Sequence, residues 1–303
     1  MHMSDALISP AVAGTMYAVS AVNLHIASRR KFDDKTIPLM GVMGAFIFAG
    51  QMVNFTIPAT GSSGHIGGGI LLSALLGPYA ALLTITAVLV IQCLLFADGG
   101  ILALGCNIFN MGVMSCFVAY PLIFRNIIKG GVTKKRLYAA SVLSVVVGLQ
   151  LGAFGVVLET VSSGVTALPF GAFAALIQPI HLAIGLVEGL VTAAALGFIH
   201  DCNPSLIYAS QKPREFRKKT LGVILGAALL VGAVLSRFAS QNPDGLEWAL
   251  DKIKLGAEMP NYQPQLADYG SVTGVLGIAV TLLLIILVGF ISKLFYKKYN
   301  NKV

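Results

Sequence analysis

The first two residues carry three nitrogens that suit one metal ion: the amine of Met1, the amide nitrogen of His2 and the His2 imidazole. An N-terminal methionine followed by a large residue is generally retained, so the amine is expected to stay beside the histidine. Amine, deprotonated amide and Nδ1 close a five-membered and a six-membered chelate ring and leave one vacancy in a plane. A fourth nitrogen completes the square-planar arrangement that marks Ni(II) or Cu(II) among first-row ions. His65 is the candidate for that position, in the stretch Thr60-Gly61-Ser62-Ser63-Gly64-His65-Ile66-Gly67-Gly68-Gly69. Glycines permit close backbone approach and positive φ, so this loop can fold against the N-terminus. Taken singly, either histidine is more often a hydrogen-bonding residue than a ligand; their placement on one side of the chain is what joins them.

The elements that must position these groups are membrane spans. The chain is 56% hydrophobic and 11% charged, with a mean hydropathy of +0.82, whereas soluble domains carry roughly a quarter charged residues. Each crossing takes about 20 apolar residues. Of 21 basic residues, 18 fall in four clusters: Arg29 to Lys35, Arg125 to Arg136, Lys212 to Lys219 and Lys293 to Lys302. The bias of Lys and Arg toward cytoplasmic loops places all four inside. The other three, Arg237, Lys252 and Lys254, share a loop with Asp244, Glu247, Asp251, Glu258 and Asp268, which is placed outside. An even number of crossings must separate successive clusters. Residues 137–200 and 220–292 supply two each, and residues 37–124 four, one of them short (about Ile66 to Gly77) and of re-entrant or partial type. With Ala6 to Ser28 the expectation is an all-α polytopic membrane bundle of about nine crossings, N-terminus outside. The first residues lack the basic n-region of a cleavable signal peptide.

A composition shift suggests two modules: a membrane domain over 1–205, a basic linker over 206–219, and a two-span module over 220–303 with an outer loop at 237–271. In that loop Asp244 is placed to cap a short helix with Glu247 reaching back, and Leu246, Ala249, Leu250 and Ile253 recur at helical spacing. A surface-lying connector is expected, with Trp248 at the headgroup level. Cys93, Cys106, Cys116 and Cys202 show no CxxC spacing and read as packing residues, not a disulfide framework.

Polar residues inside spans are expensive and invite a functional reading. Gln51, Asn54, Ser63, Asn107 and Asn110 are candidates to hydrogen-bond the ligand histidines, with helix gluing as the alternative. His181 and Glu188, seven residues apart on one helix face, are expected to form a structural buried pair. Met40, Met43, Met52, Met111 and Met114 read as apolar filler. Gly41, Gly44 and Gly50 permit close helix approach.

Three segments carry a resemblance: Met1-His2-Met3-Ser4-Asp5-Ala6-Leu7-Ile8-Ser9-Pro10, Ser63-Gly64-His65, and Gly105-Cys106-Asn107-Ile108-Phe109-Asn110-Met111-Gly112. They resemble the CbiM/NikM family, the substrate-binding S components of energy-coupling-factor transporters for cobalt and nickel. Pro243-Asp244-Gly245-Leu246-Glu247 resembles the signature of the companion small subunit, the PDGLE or CbiN/NikN-type domain. The resemblance implies a seven-span metal-binding part fused to a two-span hairpin, and a metal site at Met1, His2 and His65. It also implies partners, a transmembrane T component and cytoplasmic ATPases, and a helper role in loading for the hairpin. The opening departs from the Met-His-Ile-Met-Glu-Gly-Phe type of cobalt members, and an all-nitrogen plane suits Ni(II) better than Co(II). Nickel is therefore the expected cargo, cobalt the alternative.

There is no GxxxxGK[ST] loop, so ATP hydrolysis by this chain is not expected, and no HExxH. The chain is read as a transport subunit of a cell membrane, surrounded by lipid and without a nucleic-acid partner. Two rival readings remain: an S component or channel for an organic solute, and a membrane enzyme built on His181 and Glu188.

Overall fold

A computed structural model describes residues 1–166, 168–208, 218–253 and 271–300. Its helices are α1 (Pro10–Ser28), α2 (Thr36–Gln51), α3 (Gly69–Leu76), α4 (Pro78–Phe96), α5 (Leu104–Ile128), α6 (Lys134–Ser163), α7 (Phe170–Cys202), α8 (Lys218–Ala233), α9 (Gly245–Lys252) and α10 (Ser271–Asn300). Between α2 and α3 lies a small antiparallel hairpin, β1 (Phe55–Ile57) and β2 (Ser62–Gly64), with Phe55 opposite Gly64.

Helix starts follow local chemistry. Ser9 caps α1 by accepting the Val12 amide, with Pro10 in the first turn, and Thr133 caps α6 by accepting the Arg136 amide. Among the described residues five helices, α4 to α7 and α10, are long and apolar enough to cross a membrane, and α2 and α8 are shorter apolar helices. The short span has eight residues, about 12 Å of helix. All eight are buried, so protein and not lipid covers its ends. Helix α5 winds with i→i+5 bonds from Ile108 to Phe124, a stretch that contains Pro121.

The helices run between two ends. Arg29, Arg30, Lys31, Gly77 and Tyr296 line one cavity and Arg125, Lys129 and His200 another, the two sharing Tyr79 and Tyr208. The Lys293 ammonium reaches Asp34 at that same end. Three of the four basic clusters thus lie together; Lys212, Arg214 and Arg217 of the fourth fall outside the described residues. The opposite end holds the N-terminus, the β1–β2 hairpin and α9.

Helix α2 packs against both α8 and α10. Gly41 and Gly44 make the α10 contact possible: a methyl group at Gly41 would strike Ile286, and one at Gly44 would strike Ile285. Gly50 gives room to Ile66. Gly41 and Gly44 thus serve the packing of α2 on α10, and Gly50 serves the loop before α3.

The connector expected to lie on the surface is instead docked. Leu246, Ala249 and Leu250 of α9 are buried, and Trp248 Nε1 donates to the Thr60 carbonyl at 2.9 Å, which fixes the ring on the hairpin loop. The capping box forms as expected, with Asp244 Oδ1 accepting the Leu246 and Glu247 amides and Glu247 reaching back. Lys254, Glu258 and Asp268 lie outside the described residues.

Candidate metal-capture site

The first N-terminal residues form an irregular segment that the α4–α5 connection and the start of α5 clamp. Asn107 accepts the Met3 amide at 2.8 Å and donates to the Met3 carbonyl at 3.1 Å, satisfying both backbone groups of one residue. Gly100 donates to the same carbonyl at 2.8 Å. Gly99 has φ +91°, and a Cβ there would lie 2.9 Å from Asn107 and 3.4 Å from His2, so glycine alone fits. The Met1 and Met3 side chains are buried in the core. This anchoring brings the Met1 amine to 3.5 Å from His65 Nε2. Metal–nitrogen bonds of about 2.0 Å separate cis ligands by about 2.8 Å and trans ligands by about 4 Å, and the observed spacing lies between.

His65 is set by its own loop. Its Nδ1 lies 3.1 Å from the Ile66 carbonyl, an acceptor only, so Nδ1 carries the proton and Nε2 presents a lone pair toward the amine. Burial first, then the adjacent ammonium and His2, push the imidazole down to about 3, which keeps it a neutral donor. The His2 ring stacks on His65 with centroids 5.1 Å apart and planes 21° from parallel.

Behind the loop, Gln51 donates to the Gly67 carbonyl at 2.9 Å and Glu188 accepts the Gly68 amide at 2.8 Å. Gly68 has φ +81° and abuts Ile47, a conformation and a space that exclude a side chain. The expected His181–Glu188 pair is not made: His181 Nδ1 lies 2.8 Å from the Ile177 carbonyl of its own helix, while Glu188 serves the loop. Seven residues on one helix share a face but stand about 10 Å apart along it. Both line a small cavity of about 20 Å³ with Met1, His65, Asn110 and Asp244.

None of the five polar candidates bonds to a histidine ring among the described residues. Gln51 and Asn107 hold backbone, Asn110 Nδ2 donates to Glu159 at 2.6 Å, Ser63 Oγ donates to the Asn242 carbonyl at 2.8 Å, and Asn54 accepts the Ser240 amide through its carbonyl. Of the five, Asn110 lines the cavity. Nor do three His, Cys, Asp or Glu side chains gather for a metal among the described residues; an amine–amide–imidazole set does not need them.

Two carboxylates at the site were missed. Asp98 Oδ1 stands 3.0 Å from His2 Nδ1, the nitrogen that chelation requires. Its sequence signal is a single acid closing an apolar run before Gly99-Gly100. Asp244 Oδ2 pairs with the Met1 amine at 2.9 Å across 243 residues. Burial works against its charge, yet the ammonium and the accepted amides hold its carboxyl well below the usual carboxylate range. The backbone of its segment docks on β2, with the Ser63 amide donating to the Pro243 carbonyl at 2.8 Å.

A bundle of long apolar helices defines a multi-pass membrane protein, and an N-terminal amine and two imidazoles converge at one of its ends. The family described as "Cobalt uptake substrate-specific transmembrane region" (CbiM) matches residues 2–206, and the PDGLE domain matches residues 218–269. The chain belongs to the CbiM family of nickel and cobalt transport proteins and carries a PDGLE domain behind it. It is 33% identical over 273 residues to a protein of Archaeoglobus fulgidus named as a fused nickel transport protein, NikMN, covering 89% of this chain and 88% of that one. A cobalt transport protein CbiM of Sorangium cellulosum is 28% identical over 62% of this chain and 84% of its own. A crystal structure titled as a transition metal transporter superposes with a TM-score of 0.60 at 30% identity, covering 67% of this chain and 94% of that chain.

Proposed function

We propose that the chain is the substrate-binding S component of an energy-coupling-factor transporter and captures divalent nickel from outside the cell. The Met1 amine, the deprotonated His2 amide, His2 Nδ1 and His65 Nε2 are its four donors. The observation that carries this reading is the approach of the Met1 amine to 3.5 Å from a neutral His65 Nε2 with the His2 ring stacked alongside. Release of Asp98 by His2 Nδ1 then frees the last donor. Cobalt is the second reading, favoured by relatives named for each metal. Residues 1–205 form the metal-binding domain, 206–219 the linker and 220–303 the helper module, in about nine crossings with the N-terminus outside. A T component and cytoplasmic ATPases supply the energy and reorient the loaded subunit, and donor protonation assists release, since metal binding requires deprotonated ligands.

The test is metal content and absorption of the purified full-length protein beside His2→Ala and His65→Ala. About one nickel per chain with a square-planar d–d band, lost in both variants, supports the reading. Metal retained in both variants sends the search to other donors and raises the organic-solute alternative.

A further inference from the structure

The fused module does more than sit beside the site: one of its side chains is bonded to the amine. Resting on the nickel-capture reading above, we propose that Asp244 is a positioning residue of the capture site. Its Oδ2 aims the Met1 amine and remains the acceptor of an amine N–H once that nitrogen binds the ion, without itself becoming a ligand.

The two oxygens of Asp244 have separate tasks. Oδ1 accepts the Leu246 and Glu247 amides, both at 2.8 Å, and is thereby fixed to the start of α9. Oδ2 is left to meet the Met1 amine at 2.9 Å. Because Oδ1 is held by two backbone donors, the carboxylate cannot swing without uncapping its helix. Nor can its backbone retreat easily. The Ser63 amide and hydroxyl bond to the Pro243 and Asn242 carbonyls, both at 2.8 Å, two residues from His65. On the other side, a Cβ at Gly245 would stand 3.0 Å from His181 Cε1 and from Ile184.

The amine is what must change. As an ammonium it has no lone pair; after losing one proton it offers a lone pair to the ion and keeps two N–H groups. A carboxylate fixed at 2.9 Å can take one of those N–H groups, which orients the lone pair away from Asp244. Outer acceptors of this kind orient metal ligands and raise their basicity. The added negative charge also offsets a divalent ion whose nitrogen donors supply only one negative charge.

The experiment titrates Ni(II) into the full-length protein with its native N-terminus, against a competing chelator, with the absorption spectrum read in parallel. Asp244→Asn keeps an Oδ1 that can cap α9 and puts an NH2 donor where Oδ2 accepted, removing both the charge and the acceptor that face the amine. Its affinity is expected to fall roughly 10–100-fold, the range for outer partners of metal ligands, with the square-planar band unchanged. Glu247→Ala, which loosens the same capping box without touching the amine, is expected to stay within about twofold. The proposal is overturned if Asp244→Asn binds as tightly as wild type, or if Glu247→Ala loses as much, since docking alone would then explain both. A wild-type spectrum of five-coordinate type that turns square planar in Asp244→Asn overturns it differently, by making Asp244 a ligand. If wild type binds no Ni(II) at all, the capture reading itself fails and this proposal falls with it.

Discussion

The two ends of the bundle solve opposite problems. At the N-terminal end, segments as far apart in sequence as Met1, His65 and Asp244 close on one another through contacts of 2.9 and 3.5 Å and line a cavity of about 20 Å³, with His2 held by Asp98 at 3.0 Å beside it. At the other end, Arg125, Lys129 and His200 rim a cavity of about 1300 Å³ floored by Ile26, Cys116 and Phe117. The first end pairs the Met1 ammonium with Asp244 and leaves little open space. The other gathers positive charge around open space, an environment that repels a divalent cation. The contrast supports the proposal that capture belongs to the N-terminal end, and each prediction below is a way to break it.

The largest effect is expected from extending the N-terminus by a few residues. An extension turns the Met1 amine into an amide, removes one donor outright and abolishes its pair with Asp244. Nickel affinity should fall by more than the roughly 10–100-fold that outer partners command, and purified protein should carry essentially no metal. Full occupancy in the extended protein, measured by metal analysis, would break the comparison, because the polar end would then be a closure and not a site.

How much of this end was legible in the sequence depends on the reach of each cue. Chelate chemistry is local, so Met1 and His2 declare themselves in two residues, and the glycines around His65 mark a loop free to approach them. The capping box at Asp244 and Glu247 is equally local, a spacing of three. What the cap could not reveal is that the second carboxylate oxygen faces an amine 243 residues away. Likewise, helical spacing put His181 and Glu188 on one face, but side-chain direction sent one to its own helix and the other to the Gly68 amide. Asn107 was suspected for its polarity inside a span, yet its partner is the backbone of Met3, and no pattern in either segment encodes that match. The composition that marked Trp248 could not show its bond to Thr60, 188 residues away. The basic clusters were a longer-range cue, and the three that fall among the described residues do lie at one end.

A smaller effect separates the ends by pH. His65 titrates at about 3 in the folded protein, against roughly 6.5 when unfolded. Between those values the unfolded chain binds the extra proton, so stability is fully present above about 6.5 and declines as pH falls through the window, by up to about 1.4 kcal/mol per unit. Unfolding of the metal-free protein in detergent, followed from pH 7 to 4.5, should show this decline. A His65→Gln variant should show a flatter one. Equal slopes would place the acid sensitivity elsewhere and remove His65 from the closed end.

The smallest effect is expected at the basic rim. Arg125 and Lys129 sit at the far end of α5, a helix of 25 residues and about 37 Å long, several times the Debye length of about 8 Å at physiological salt. Arg125→Gln with Lys129→Gln should therefore leave nickel affinity within about twofold while removing two positive charges from the large cavity. Chelator competition on the double variant checks this. A tenfold change in either direction would mean that the ends communicate through the bundle, and the division of labour drawn from their geometry would have to give way to a coupled one.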